Sequence, residues 1–98
     1  MTLSIQKERI TAISPEGIPM GYITFPRIRA GLVNISQMTV FPEFRGQAVE
    51  DAMMEALLIH LEDRGLKAAL TYPYAQQYLE KKPQWKKILP GEIHFTKY

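Results

Sequence analysis

The sequence predicts a mixed α/β fold: antiparallel strands at the N-terminus, then a strand, a long helix, a parallel strand and a second helix. Three observations predict it. Apolar and polar residues alternate with period two as far as Val40, apolar residues fall into helical spacing from Val49, and a short apolar run, Leu66–Tyr72, follows that helix. Ninety-eight residues, 46% of them hydrophobic, suffice for one core and are too few for two. Residues 1–98 are therefore expected to form a single domain.

The elements follow in order. Leu3–Ile13 has the alternation of a strand, Ser14-Pro15-Glu16-Gly17 is a turn, and Ile18–Phe25 returns as the second arm of a hairpin. A break at Pro26–Gly31 leads into Leu32–Val40, read as a third, half-buried strand. After Phe41-Pro42-Glu43-Phe44-Arg45-Gly46 comes a helix over about residues 47–64. Its face is built on Val49, Ala52, Met53, Ala56, Leu57 and His60, widened by Met54, Leu58 and Leu61. Gly65 is the residue expected just past a helix C-terminus. Leu66–Tyr72 then suits a central strand, and strand–helix–strand order implies a right-handed crossover with parallel pairing. Pro73 stops it, and Tyr74, Ala75, Tyr78 and Leu79 mark one face of a second helix running to Lys82. The tail adds Trp85, a Pro90-Gly91 turn and an alternating segment, Ile93 to Phe95, expected as a last strand with His94 on its exposed face.

Composition excludes several chemistries. Cysteine is absent, which removes disulfides, thiolate metal sites and a cysteine nucleophile, and makes a reducing cytoplasm the expected compartment. The first ten residues carry Lys7, Glu8 and Arg9 where a secretion signal needs an apolar run, and no stretch approaches a membrane span. The chain is thus read as unprocessed and free of membrane. The two histidines, with no cysteine, offer no transition-metal spacing, so no metal is expected. Twelve Lys and Arg against ten Asp and Glu give too small a basic excess to argue for nucleic acid, and none is expected as a partner.

The informative segment is a strand ending at Val40, the loop Phe41 to Ala48 with Arg45 and Gly46 in it, and the helix that starts inside that loop. The first four amides of a helix lack an intrahelical acceptor and lie at the positive end of its dipole, so such a turn can hold a phosphate. Gly46 permits close approach of the backbone. The same segment also fits an ordinary strand-to-helix turn with a surface arginine, because Arg-Gly-Gln-Ala alone is a short motif.

Taken with Val33-Asn34-Ile35, Thr39-Val40, Pro42-Glu43-Phe44-Arg45-Gly46-Gln47, Gly65-Leu66-Lys67 and the run Tyr74 to Trp85, the chain resembles the small single-domain N-acetyltransferase-like proteins of the GNAT superfamily. The resemblance covers about residues 3–89 and implies that fold: a mixed central sheet with a long helix after a pyrophosphate loop and a cleft where two parallel strands splay. It implies acetyl-coenzyme A as cofactor and a small-molecule or protein amine as acceptor. It implies that Val40 and Phe41, at the strand end, meet the pantetheine arm, and that Arg45, Gly46, Gln47, Ala48 and Val49 surround the pyrophosphate. Tyr74 or Tyr78 would pack on the thiol end or arm. Gln37 and Tyr72 stand where small members commonly carry His and Cys, which makes them the catalytic candidates. A Gln is no general base near neutral pH, whereas a Tyr phenol can donate a proton to a leaving thiolate.

The loop departs from the superfamily pattern of Gln or Arg, two variable residues, Gly, one variable residue, then Gly or Ala. The fixed places here hold Arg45, Ala48 and Glu50. Glu50, with Asp51 beside it, either competes with phosphate for the loop amides or complements the helix dipole from the solvent side. Two other readings follow: a relative that keeps the fold as a ligand-binding or protein-interaction module, and, from Lys81, Lys82, Lys86 and Lys87 alone, a nucleic-acid-binding module. The same lysines fit a solvated face or a partner for the cofactor's 3′-phosphate. His60 is expected as a core or dipole-capping imidazole.

Overall fold

The computed structural model describes residues 1–90. The predicted last strand, with Gly91, Ile93, His94 and Phe95, lies outside them. Among the described residues there are seven strands and two α-helices, with the expected strand–helix–strand–helix order after the N-terminal strands: β1 (Thr2–Ile5), β2 (Arg9–Ile13), β3 (Pro19–Thr24), β4 (Arg27–Arg29), β5 (Leu32–Ile35), β6 (Gln37–Val40), α1 (Val49–Asp63), β7 (Lys67–Leu70) and α2 (Pro73–Lys81). Short 3-10 helices sit at Pro42–Phe44, before α1, and Pro83–Ile88, after α2.

Three expectations are corrected. Leu3–Ile13 is two antiparallel strands, not one, reversing at Gln6-Lys7-Glu8, where the Gln6 amide donates to the Arg9 carbonyl at 2.8 Å. The break at Pro26–Gly31 contains a short strand, β4, paired with β5. Leu32–Val40 is split at Ser36, and its halves belong to different sheets. One sheet has the order β1-β2-β3-β6 and is antiparallel throughout; the other runs β4-β5-β7. The pairing of β5 with β7 is parallel, as the crossover requires, with Leu32 opposite Lys67 and Ile35 opposite Leu70. Among the described residues β7 ends its sheet and is not central.

Helix α1 covers the sheets. Val49, Met53, Met54, Leu57, Leu58 and Leu61 are fully buried while Ala52, Ala56 and His60 are half-buried, so the apolar face is rotated towards the residues that widened the predicted one. They pack on Ile10, Ala12, Ile23, Phe25 and Ile35 from the strands. Ala75, Tyr78 and Leu79 of α2 close the same core, and Pro73 begins that helix, where its missing amide hydrogen costs nothing. His60 is half-buried with its ring edge-on to Phe25, 6.0 Å between centroids. Burial, aided by the Arg64 cation and opposed by Asp63, holds its imidazole below the usual value, as befits a core-packing histidine.

The close approach of β3 and β6 depends on Gly21, which faces Val40 across the ladder. A Cβ there would lie 2.4 Å from the Thr39 carbonyl oxygen and 3.0 Å from the Val40 Cα, both backbone atoms that cannot rotate aside. Gly21→Ala is therefore expected to destabilise the fold by about 1–3 kcal/mol, the usual range for overpacking. Urea unfolding at unchanged m-value measures it.

Candidate active site

The split at Ser36 creates the site. Backbone pairing of β5 with β7 ends where the Thr71 amide donates to the Ile35 carbonyl at 3.3 Å. Beyond that bond β6 turns away to pair with β3, while the Ser36 amide donates to Thr24 and the two hydroxyls lie 3.2 Å apart. The diverging strands leave an opening spanned by one side chain: the Tyr72 hydroxyl donates to the Met38 carbonyl at 3.3 Å.

A cavity of about 330 Å³ occupies the opening, lined by Met38, Thr39 and Val40 of β6, Arg45 and Glu50 from the loop and first turn of α1, and Tyr72 and Tyr74. The structure thus brings together Val40, Arg45, Tyr72 and Tyr74 of the predicted set. Tyr78 lies beside it, its ring 6.3 Å from that of Tyr74 and in a smaller neighbouring cavity that Tyr74 also lines. Gln37 does not join them: it is exposed at the start of β6, and its carbonyl accepts from the Thr24 hydroxyl at 3.4 Å. Phe41 is held edge-on against Tyr22, 6.4 Å between centroids, and its amide donates to Met20 at 2.9 Å, which fixes the start of the loop. Met38 and Thr39 were not expected as lining residues. Their signal was adjacency, since both precede Val40 directly in β6.

The loop between has an unusual backbone. Arg45 is extended, Gly46 has φ 82° and Ala48 is left-handed at φ 59°, ψ 27°. Ala48 is the residue before the first helical turn, two later than a start at 47 would give. It offers no side-chain cap, and the amides from Gly46 to Asp51 donate to no backbone carbonyl among the described residues, while the Ala48 carbonyl accepts from Ala52 at 3.1 Å. Several orphan donors at a helix N-terminus beside the cavity suit a pyrophosphate. Val49 is fully buried, so it can contribute only main chain to a ligand. Gly46, Gln47 and Ala48 are exposed.

The two carboxylates of the first turn separate. Glu50 is half-buried on the cavity wall, on the same lining as Arg45. Asp51 accepts a hydrogen bond from the Tyr74 hydroxyl and so ties α2 to the start of α1. Burial first, then that hydrogen bond and the nearby charges of Asp51 and Glu50, raise the Tyr74 phenol far above its ordinary value; burial also raises Tyr78. Both rings stay neutral at physiological pH. A folded-state pKa above the unfolded one gives stability that is complete below about pH 10 and lost as pH rises through the folded value. Unfolding free energy is expected to fall as pH rises above about 10, and Tyr74→Phe to remove the larger part of that slope, as urea titrations across the range would measure.

Two of the four clustered lysines are engaged. Lys82 lies over the Tyr78 ring at 5.5 Å, Lys87 over Trp85 at 5.4 Å, and Lys87 also pairs with Glu62. The Lys67 ammonium donates to the Lys87 carbonyl at 2.6 Å. These contacts favour a structural surface over a nucleic-acid patch.

The chain belongs to the family described as GCN5-related N-acetyl-transferase, whose model matches residues 10–88. That makes it an acetyl-CoA-dependent N-acetyltransferase by class. No curated protein matches the sequence significantly. Among solved structures it is similar to a GCN5-like N-acetyltransferase from Staphylococcus aureus, with 20% identity and a TM-score of 0.71 over 97% of this chain and 96% of that one. It is also similar to Ard1 from Thermoplasma volcanium, at 20% identity and a TM-score of 0.60, with 78% of this chain aligned to 53% of that one, so it spans about half that protein's length. The aminoglycoside N-acetyltransferase AAC(6')-Iy, solved in complex with CoA, aligns at 16% identity and a TM-score of 0.50 over 92% of this chain and 75% of that one. At such identities these three likenesses establish the fold. No helix among the described residues is long and apolar enough to cross a membrane.

Proposed function

We propose that the whole chain acts as one catalytic unit that acetylates a small-molecule or protein amine, with the cofactor in the cavity where β6 leaves β7. The observation that carries this reading is the run of unpaired amides from Gly46 to Asp51 opening beside a cavity bounded by Val40 and Tyr72. Val40 would offer main-chain groups to the pantetheine arm, with Phe41 setting the loop's origin against Tyr22. Arg45, which has no carboxylate partner among the described residues, and the main chain of Gly46, Gln47, Ala48 and Val49 would hold the pyrophosphate. Tyr74 and Tyr78 would pack on the cofactor's arm.

When bound, acetyl-CoA supplies an activated thioester: a nitrogen–carbon bond forms to the acetyl group as its carbon–sulfur bond breaks. Tyr72 would give the departing sulfur a proton, exchanging the hydrogen bond that its hydroxyl donates to the Met38 carbonyl on the cavity's edge; its position at the cavity supports that role. Gln37 cannot accept a proton at neutral pH, and its exposed position leaves it only amide hydrogen bonds to an acceptor. Proximity and solvent would then deprotonate the amine. Release of thiol from acetyl-CoA, measured over a panel of amines and peptides with wild type and Tyr72→Phe, tests the reading. Acetylation of at least one acceptor, slowed in the variant, is expected; tight CoA binding with no transfer to any acceptor would contradict it.

Glu50 favours the second reading, a non-catalytic relative, because its carboxylate faces the same space as the phosphates would. Neutralising it separates the two. Glu50→Gln is expected to tighten CoA binding by about tenfold, or ~1.4 kcal/mol, at low salt and by much less near 1 M salt. Calorimetric titration reads the difference. A large gain over an immeasurably weak wild type would mark an eroded site, and a modest gain over a firm one a working site.

A further inference from the structure

A second cavity is larger than the cofactor cleft. It measures about 450 Å³ and lies between the β1–β2 turn, the start of β4 and the C-terminal end of α1. Its lining holds three permanent cations, Lys7, Arg27 and Arg64, with His60 and the apolar Ile5 and Leu66. Helix α1 has 15 residues, so this cavity and the Gly46 loop sit at opposite ends of an axis about 22 Å long.

None of the three cations forms an ion pair among the described residues. The ion pair recorded among the described residues joins Lys87 and Glu62, elsewhere on the surface. Two carboxylates border the region without lining it. Glu8 accepts from the Arg27 amide at 3.0 Å and Asp63 acts on His60 from the helix end, so both offset part of the positive charge from the rim, while the lining itself holds three cations and no carboxylate. The C-terminal carbonyls of α1 add only partial negative charge, and those of His60, Leu61 and Glu62 already accept from the amides of Arg64, Gly65 and Leu66. Three like charges around a hollow of ligand size repel one another until an anion enters. Guanidinium groups are suited to receive its oxygens in pairs, and Ile5 and Leu66 give an apolar body somewhere to rest.

We propose that this cavity is a second ligand site, separate from the cofactor cleft, for a small multiply charged oxyanion such as a phosphate ester or a polycarboxylate. Lys7, Arg27 and Arg64 supply the charge, and His60 supplies a neutral ring that reports occupancy.

Titration of the full chain with inorganic pyrophosphate and, separately, with citrate, followed by nitrogen-edited NMR, tests it. The expected result is a saturable shift of the Gln6, Lys7, Arg27 and Arg64 amides and of the His60 ring with at least one of the two probes. Which probe is held more tightly decides between phosphate and carboxylate. Arg27 and Arg64 are both exposed, so the double variant Arg27→Gln, Arg64→Gln leaves the core intact, and it is expected to weaken this binding at least tenfold. A double variant with the same loss of charge elsewhere, Lys81→Gln, Lys82→Gln, is expected to leave it within twofold. Shifts confined to Gly46–Asp51, no saturable shift with either probe, or equal weakening by both double variants would overturn the proposal.

Discussion

Replacing Gly46 with valine is expected to lower affinity for CoA at least tenfold. At φ 82° the residue stands in a region that β-branched side chains avoid, and a Cβ there meets no atom within 4 Å. Crowding is therefore not the cause of the loss; backbone conformation is. Left-handed geometry costs an ordinary residue roughly 1–2 kcal/mol, and the exposed loop can escape that cost by relaxing towards an extended form. Relaxation turns the amides that follow away from a common point, and a pyrophosphate then meets donors that no longer converge. Calorimetry with CoA, alongside urea unfolding, separates the outcomes: a lost affinity with stability lowered by no more than about 2 kcal/mol is expected. Unchanged affinity would mean that the loop does not hold the cofactor.

Leu57→Ala is expected to have the largest effect on stability. Leu57 is fully buried on α1, within the cluster that joins the helix to both sheets. Truncating a buried leucine to alanine removes its transfer free energy and leaves a cavity, for a total of about 2–5 kcal/mol. For a domain of this size, with a total of roughly 5–15 kcal/mol, that is a large share, equivalent to a fall in melting temperature on the order of 10–30 °C. Thermal and urea unfolding both measure it. A loss below about 1 kcal/mol would mean that α1 is less firmly packed than its burial implies.

Much of this architecture was readable from spacing. The helical period from Val49 to Leu61 located α1, Gly65 located its end, and Pro73 with Tyr78 and Leu79 located α2, because amphipathic period and punctuation are local properties. The split at Ser36 was missed, although it leaves a trace. Leu32 at the strand's start aside, buried residues occupy odd positions at Val33 and Ile35 and even positions at Met38 and Val40, a slip of one that marks where the strand changes sheet. The turn at Gln6-Lys7-Glu8 carries no Gly, Pro or Asn, so nothing local announced that Leu3–Ile13 folds back on itself.

The site was legible in the same partial way. Arg45, Gly46 and the helix start gave the loop, and likeness to a known family gave Val40, Tyr72 and Tyr74. Tyr72 bridging to Met38, and Tyr74 tying down Asp51, depend on how two distant segments meet, which no window of sequence contains. The second of these bonds also alters the meaning of the acidic pair. Asp51 is committed to α2, and Glu50 alone faces the cavity.

Titration of the nitrogen-15 labelled chain with CoA bears most directly on whether these amides grip a pyrophosphate. Saturable shifts concentrated at Gly46 to Asp51 and at Val40 are the expected result. Saturation with those amides unmoved, or no saturation at all at millimolar CoA, would contradict it.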